Sequence, residues 1–200
     1  MRESNKAIWN FTKQEPIGRS VGSAFHANPS IGLIDVLING LRLVKDLSFK
    51  KKSLPFALPE GSCQIDVFSN GVWVATNELI AEQDKECFIA ITGTIDEVDV
   101  FICPSGARIP HGEAAARFIH LDPLLGKLDV SVNKGDVVFP TLSYLNVTDS
   151  LALTPFSVNL EARAAGTKEI LISMRDAHFE RDTAYLVCFI GKEAVFLKEK

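Results

Sequence analysis

The stretch His26-Ala27-Asn28-Pro29-Ser30-Ile31-Gly32-Leu33-Ile34-Asp35-Val36 returns later in the chain as His120-Leu121-Asp122-Pro123-Leu124-Leu125-Gly126-Lys127-Leu128-Asp129-Val130. The His, the Asn or Asp before Pro, the Gly and the Asp-Val pair keep their internal spacing, displaced by 94 positions (120 − 26). An Asn follows at the same further distance in each copy, as Asn39 and Asn133. Self-similarity at a fixed period marks one folding unit copied in tandem, and the 200 residues divide into two units of roughly 85–100 residues. Units that small gain stability by packing on each other.

The repeated stretch opens a strand in each copy. Ile34, Val36 and Ile38 alternate with Asp35, Leu37 and Asn39, and Leu128, Val130 and Val132 alternate with Asp129, Ser131 and Asn133, the period of a sheet with one buried face. Asn39-Gly40 is a hairpin signal. Further matched segments follow: Leu47-Ser48-Phe49 with Leu142-Ser143-Tyr144, Gln64 to Val67 with Asn159 to Ala162, and Cys87 to Gly93 with Tyr185 to Gly191. Seven or eight short strands per unit, turn residues at close intervals and no helical period predict an all-β chain. The expected architecture is two tandem antiparallel immunoglobulin-like β-sandwich domains related by internal duplication. Expected boundaries are an N-terminal arm at 1–19, a first repeat at 20–103, a linker at 104–112 and a second repeat at 113–200. The arm's Pro16 stops regular structure, and Trp9 and Phe11 are expected to lay it against a domain. Two prolines, Pro104 and Pro110, restrict the linker, so the repeats are expected to keep a preferred mutual orientation. The polar stretch from Met174 to Arg181 reads as local helix or loop.

Composition narrows the function classes. A formal net charge of −4 and a pI near 5.6 oppose binding to phosphate backbones or anionic membranes, so no nucleic-acid partner is expected. Lys50-Lys51-Lys52 is the one basic cluster and reads as a solvated turn. No apolar run approaches the roughly 20 residues of a membrane helix, so no membrane insertion is expected. Ala7-Ile8-Trp9 is too short for a secretory core, and the expected location is the cytoplasm. Cys63, Cys87, Cys103 and Cys188 show no C-x-x-C pairing and read as free buried thiols, not a zinc site. No cofactor is expected: there is no phosphate-cradling Gly loop, no H-E-x-x-H and no dinucleotide fingerprint.

The pattern His-x-Asn/Asp-Pro, then Gly-x-Ile/Leu-Asp-Val, then Asn resembles the bacterial domain-of-unknown-function family 4397. His26, Pro29, Asp35, Val36, Asn39 and Gly40 carry the resemblance in the first copy; Arg117, His120, Pro123, Asp129, Val130 and Asn133 carry it in the second. Ser23 stands where the family usually has Arg, Asn28 and Asp122 where Ser is commonest, and Cys87 where the second copy keeps an aromatic, Tyr185. The resemblance implies tandem Ig-like sandwiches and a possible surface association, with no established activity.

Four constellations invite a chemical reading. His and Asp nine residues apart in each copy would suit an acid/base pair or two metal ligands. A nucleophile or further ligand would then have to recur beside them, and none does. The competing reading is that the carboxylate accepts turn N–H bonds or orients the imidazole. Gly18-Arg19-Ser20-Val21-Gly22 spells a nucleophile elbow but has Glu15-Pro16 before it and a strand after it, the wrong context. Asp176, His178, Glu180 and Asp182 read as a solvated loop, and Trp73 as a core plug. No residue is assigned to catalysis, a cofactor or a metal. His26, Asn28, Pro29, Asp35, Asn39, Arg117, His120, Asp122, Pro123, Asp129 and Asn133 are the structural motif and a candidate ligand loop. The first functional reading is a non-enzymatic binding or assembly module for an unknown protein or glycan partner, of undetermined oligomeric state. The second is a carbohydrate- or small-ligand-binding module using loops near the repeated turns. The third is a hydrolase with an interdomain site.

Overall fold

A computed structural model describes residues 20–199. It contains sixteen strands and no helix among them. The first repeat comprises β1 (Ser20–His26), β2 (Ile34–Ile38), β3 (Leu41–Leu47), β4 (Phe56–Leu58), β5 (Gly61–Ser69), β6 (Val72–Ala81), β7 (Glu86–Gly93) and β8 (Val98–Pro104). The second comprises β9 (Ala114–His120), β10 (Leu128–Val132), β11 (Val137–Leu142), β12 (Leu151–Leu153), β13 (Ser157–Ala164), β14 (Ile170–His178), β15 (Ala184–Ile190) and β16 (Glu193–Lys198). The sheets are β3-β2-β5-β6 and β4-β1-β7-β8 in the first repeat, matched by β11-β10-β13-β14 and β12-β9-β15-β16 in the second. Two sandwiches of the same topology result, as the duplicated sequence predicts. Pairing is antiparallel except β1 with β7 and β9 with β15, which are parallel.

Alternation builds each sandwich core. Ile34, Val36, Ile38, Ile65 and Val67 from one sheet meet Ala24, Ile89, Ile91 and Val100 from the other. Leu128, Val130, Leu160, Ala162 and Ile172 likewise meet Ala114, Ala116, Phe118, Val187 and Phe189. A third apolar cluster lies between the repeats, joining Phe25, Ala27, Phe88, Ala90 and Cys103 to Ile119, Leu121, Leu186, Cys188 and Ile190. The inner sheet of one sandwich therefore packs on the inner sheet of the other, giving four layers. β15 is buried along its whole length, which explains its unbroken apolar sequence: a strand covered on both faces needs no polar alternation.

Turn chemistry follows the residues. Asn39 and Gly40 both take positive φ (49° and 79°), as do Asn70 and Gly71 (50° and 81°). Each pair forms a two-residue loop, between Ile38 and Leu41 and between Ser69 and Val72, the tight hairpin whose twist matches the strands. The segment read as helix or loop, Met174 to Arg181, is strand through His178. Its inward residues Met174 and Ala177 are buried, and pairing with β13 overrides the weak local signal of a charge-rich stretch.

Candidate functional site

The repeated corner is built the same way twice. His26 and His120 end β1 and β9 with fully buried rings. Nε2 lies 2.8 Å from the Gly32 carbonyl in one copy and 2.9 Å from the Gly126 carbonyl in the other. Nδ1 accepts the backbone N–H of Asn28 or Asp122 at 3.3 Å. A carbonyl can only accept, so Nε2 carries the proton and both rings are neutral donors. Burial lowers both imidazole pKa values, partly offset by the glycine carbonyls. Each ring also meets an aromatic edge: Phe49 at 5.9 Å and Tyr144 at 6.1 Å.

Asn28 and Asp122 set the turn itself. Their Oδ1 atoms accept the N–H of Ser30 and of Leu124 at 2.8 Å, the side chain closing a turn that continues through Pro29 or Pro123. Asn28 also donates to the Thr92 and Thr94 carbonyls, ties that an aspartate in the second copy cannot make.

The two aspartates serve a different feature. Asp129 accepts the N–H of Thr141 at 2.7 Å and of Gly166 at 2.8 Å. Asp35 accepts the N–H of Asp46 at 2.8 Å and pairs with Arg42 at 2.8 Å. Asp46 and Thr141 have positive φ (50° and 54°) at irregularities in the pairing of β2 with β3 and β10 with β11. The carboxylates thus hold strand bulges, and none of their hydrogen bonds is to the imidazoles. The Asp46 N–H, and then Arg42, keep the Asp35 carboxyl below its ordinary range. Asn39 accepts the Gln64 N–H, and Asn133 donates to Glu161 at 2.5 Å. Of the sequence-designated corner, His26, Asn28 and Pro29 come together, as do His120, Asp122 and Pro123; Asp35 and Asp129 sit at the bulges, and Asn39 and Asn133 follow β2 and β10. Among the described residues, no group of three His, Cys, Asp or Glu side chains is placed to hold a metal.

Arg117 is engaged structurally as well. It is half-buried, pairs with buried Glu199 at 2.6 Å and donates to the Pro104 carbonyl at 2.9 Å, so it ties the start of the linker to the residue after β16. Further ties cross between the repeats: Tyr144 donates to Asp99 at 2.7 Å, Thr92 to the Leu121 carbonyl, and Lys50 pairs with Glu193. The thiols are free; Cys63, Cys103 and Cys188 are buried and Cys87 is half-buried. Burial pushes Cys87 up to about 11 and Cys103 to about 12, which makes them poor nucleophiles. Of the elbow-like pentapeptide, Ser20, Val21 and Gly22 lie in β1, and the rest, like the whole arm, falls outside the described residues.

Trp73 is a correction to the sequence reading. It is 56% exposed, not a core plug. Val67 pairs with Ala75 and Phe68 with Trp73, so Val74 is an extra residue that turns Trp73 to the outer face. There it stands opposite half-buried Phe68, with Leu37 across the sheet and Asp66, Thr76 and Gln64 alongside. Thr76 donates to Asp66 at 3.0 Å and so does Gln64. In the second repeat the same places hold Arg163 and Ile170, with Arg163 tied to buried Glu161.

Fold and corner together define a tandem all-β sandwich protein whose duplicated polar motif shapes turns and bulges. The family model described as domain of unknown function (DUF4397) matches residues 23–131, more than half of the chain, and the chain belongs to that family. No curated protein matches it.

Proposed function

We propose that this chain is a non-catalytic binding module whose recognition face is the outer sheet of the first repeat, centred on Trp73. The observation that carries the reading is an exposed indole opposite Phe68, on a strand-borne surface that runs on to Asp35 opposite Phe68 and to Leu37 opposite Asp66, with Arg42 paired to Asp35. A rigid aromatic anchor inside a polar rim is the usual composition of a protein-recognition hot spot, and sites on strands are held more firmly than sites on loops. What supports placing it here, and not at the repeated turns, is that His26, Asn28 and His120 have no exposed surface. What supports a non-catalytic role is that the polar groups of the corner are consumed by backbone partners, and that apolar side chains fill the seam between the repeats.

A glycan partner is the second reading, favoured by one feature: a solvent-facing ring next to a strip of hydroxyl, amide and carboxylate groups (Thr76, Gln64, Asp66). Stacking plus directional hydrogen bonds is how sugars are held.

The deciding experiment compares wild-type chain with Trp73→Ala and Phe68→Ala as bait in host extract and on a glycan array. The expected result is a partner retained by wild type and lost by both variants. Capture that is equal for all three, with melting unchanged, overturns the proposed face.

A further inference from the structure

One end of the second sandwich is closed by aromatic rings that the first sandwich lacks. Phe179 is fully buried, with Tyr185 edge-on at 5.2 Å and Phe196 at 6.0 Å. The pairing registers identify the first-repeat counterparts. Cys63 opposite Leu79 matches Val158 opposite Ala177, and two residues further on stand Ala81 and Phe179. Ile89 opposite Ile102 matches Val187 opposite Phe196, which also aligns Cys87 with Tyr185. Phe, Tyr and Phe in one repeat are therefore Ala, Cys and Ile in the other.

The missing volume is open. A groove of about 750 Å³ lies there, with Leu79, Ala81, Cys87 and Ile102 in its lining. Its walls are β6 and β8, each the last strand of its sheet. They are bridged by Asn77 donating to the Val100 carbonyl at 2.6 Å and leave the groove nearer their C-terminal ends. The rim is acidic on balance, with Glu78, Glu82, Asp84 and Glu86 against one cation, Lys85.

Residues 1–19 lie outside the described chain, and Ser20, which follows them, lines this same groove. They hold Trp9 and Phe11, with Arg2, Lys6, Lys13 and Arg19 against Glu3 and Glu15. The nine residue steps from Phe11 to Ser20 span up to about 30 Å when extended, ample to turn back into the opening. An apolar hollow of that size, beside two unpaired sheet edges, favours burial of aromatic rings.

We propose that Trp9 and Phe11 of the chain's own arm seat in this groove, taking the places that Phe179 and Tyr185 occupy in the second sandwich. The arm's positive charge faces the acidic rim, and the first repeat completes its core with a segment that precedes it in sequence. This is independent of the outer-sheet reading, with which it shares no residue.

The test uses the full chain carrying Trp73→Phe, so that Trp9 is the only tryptophan. Expected is the blue-shifted emission of a buried indole, several-fold less quenched by acrylamide than in a synthetic peptide of residues 1–19. Adding Ala81→Phe and Cys87→Tyr fills the groove and should expel the arm, moving emission to that of the peptide. If the filled variant does not fold, thiol labelling decides the matter. Trp9→Ala with Phe11→Ala should raise the labelling rate of Cys87 several-fold, with buried Cys63, Cys103 and Cys188 as internal references. Peptide-like emission in the unfilled chain, unchanged Cys87 labelling, or blue emission that is lost on dilution along with a dimer would each overturn the proposal.

Discussion

The imidazoles of His26 and His120 are kept neutral by burial, which outweighs the opposite pull of the glycine carbonyls, and their unprotonated Nδ1 accepts a backbone N–H. Replacing either with Ala leaves the buried backbone N–H of Asn28 or Asp122 without its acceptor, a loss of about 1–3 kcal/mol that urea titration would register. The pH dependence has a definite sign. The unfolded chain protonates each ring near its ordinary 6.5, whereas the folded chain does so only at lower pH. Stability is therefore fully present above 6.5 and declines as pH falls from there toward the lowered folded values. Comparing urea midpoints at about pH 7.5 and about pH 5.5 should show a fall in wild type and a flatter profile in the His26→Gln, His120→Gln double variant. Asp35 contributes separately, because the stability its depressed carboxyl supplies is fully present above its ordinary 3.8 and is lost only as pH falls below it. The two bulge aspartates should also differ. Asp129→Asn retains one acceptor for two backbone donors and should cost about 1–3 kcal/mol. Asp35→Asn keeps its acceptor for Asp46 and gives up only a pair with half-exposed Arg42, worth about 0–1 kcal/mol. Equal midpoint shifts would mean the second carboxylate oxygen of Asp129 holds nothing.

At the scale of strands, most of the elements were legible because alternation and turn residues agree: β2, β10 and the Asn39-Gly40 hairpin are read directly from their residues. What was not legible came from bulges and from tertiary cover. The extra residue Val74 reverses the face of Trp73, and Leu171 does the same to Ile170; a period-two reading has no way to place such an insertion. His–Asp proximity failed for a related reason, since the spacing that suggested a pair serves a turn and a bulge on different strands. The uninterrupted apolar run Tyr185 to Ile190 did carry the signal for cover on both faces. Strand ends provide a sharper test. Gly93 has φ 103°, and a Cβ there would meet the Glu97 carbonyl at 2.2 Å, a backbone wall that cannot yield. Its counterpart Gly191 has φ 60° and nothing nearer than 3.9 Å. Gly93→Ala should cost roughly 2–4 kcal/mol and disturb the β7–β8 hairpin, against about 1 kcal/mol for Gly191→Ala. Thermal melts of the two variants side by side would separate them.

For the whole molecule, equivalent faces meet: Phe25 and Ile119, Ala27 and Leu121, Phe88 and Leu186, Ala90 and Cys188 are matched positions in the two copies, and all lie in the one interdomain cluster. The paired ties beside it follow the same symmetry, Tyr144 with Asp99 at one end and Lys50 with Glu193 at the other. A seam this apolar and closely packed couples the stability of the repeats, so the chain should unfold in one transition and not as two independent domains. Residue placement makes this measurable. Both tryptophans, Trp9 and Trp73, precede the linker, and both tyrosines, Tyr144 and Tyr185, follow it. Indole emission thus reports the first half and near-ultraviolet tyrosine signals the second. Their urea midpoints should coincide in wild type. Phe88→Ala, made on the first-repeat side of the seam, should cost about 3–5 kcal/mol and move both signals together. Two midpoints, with only the indole signal shifting in that variant, would show that each sandwich stands alone and that the seam does not join them energetically.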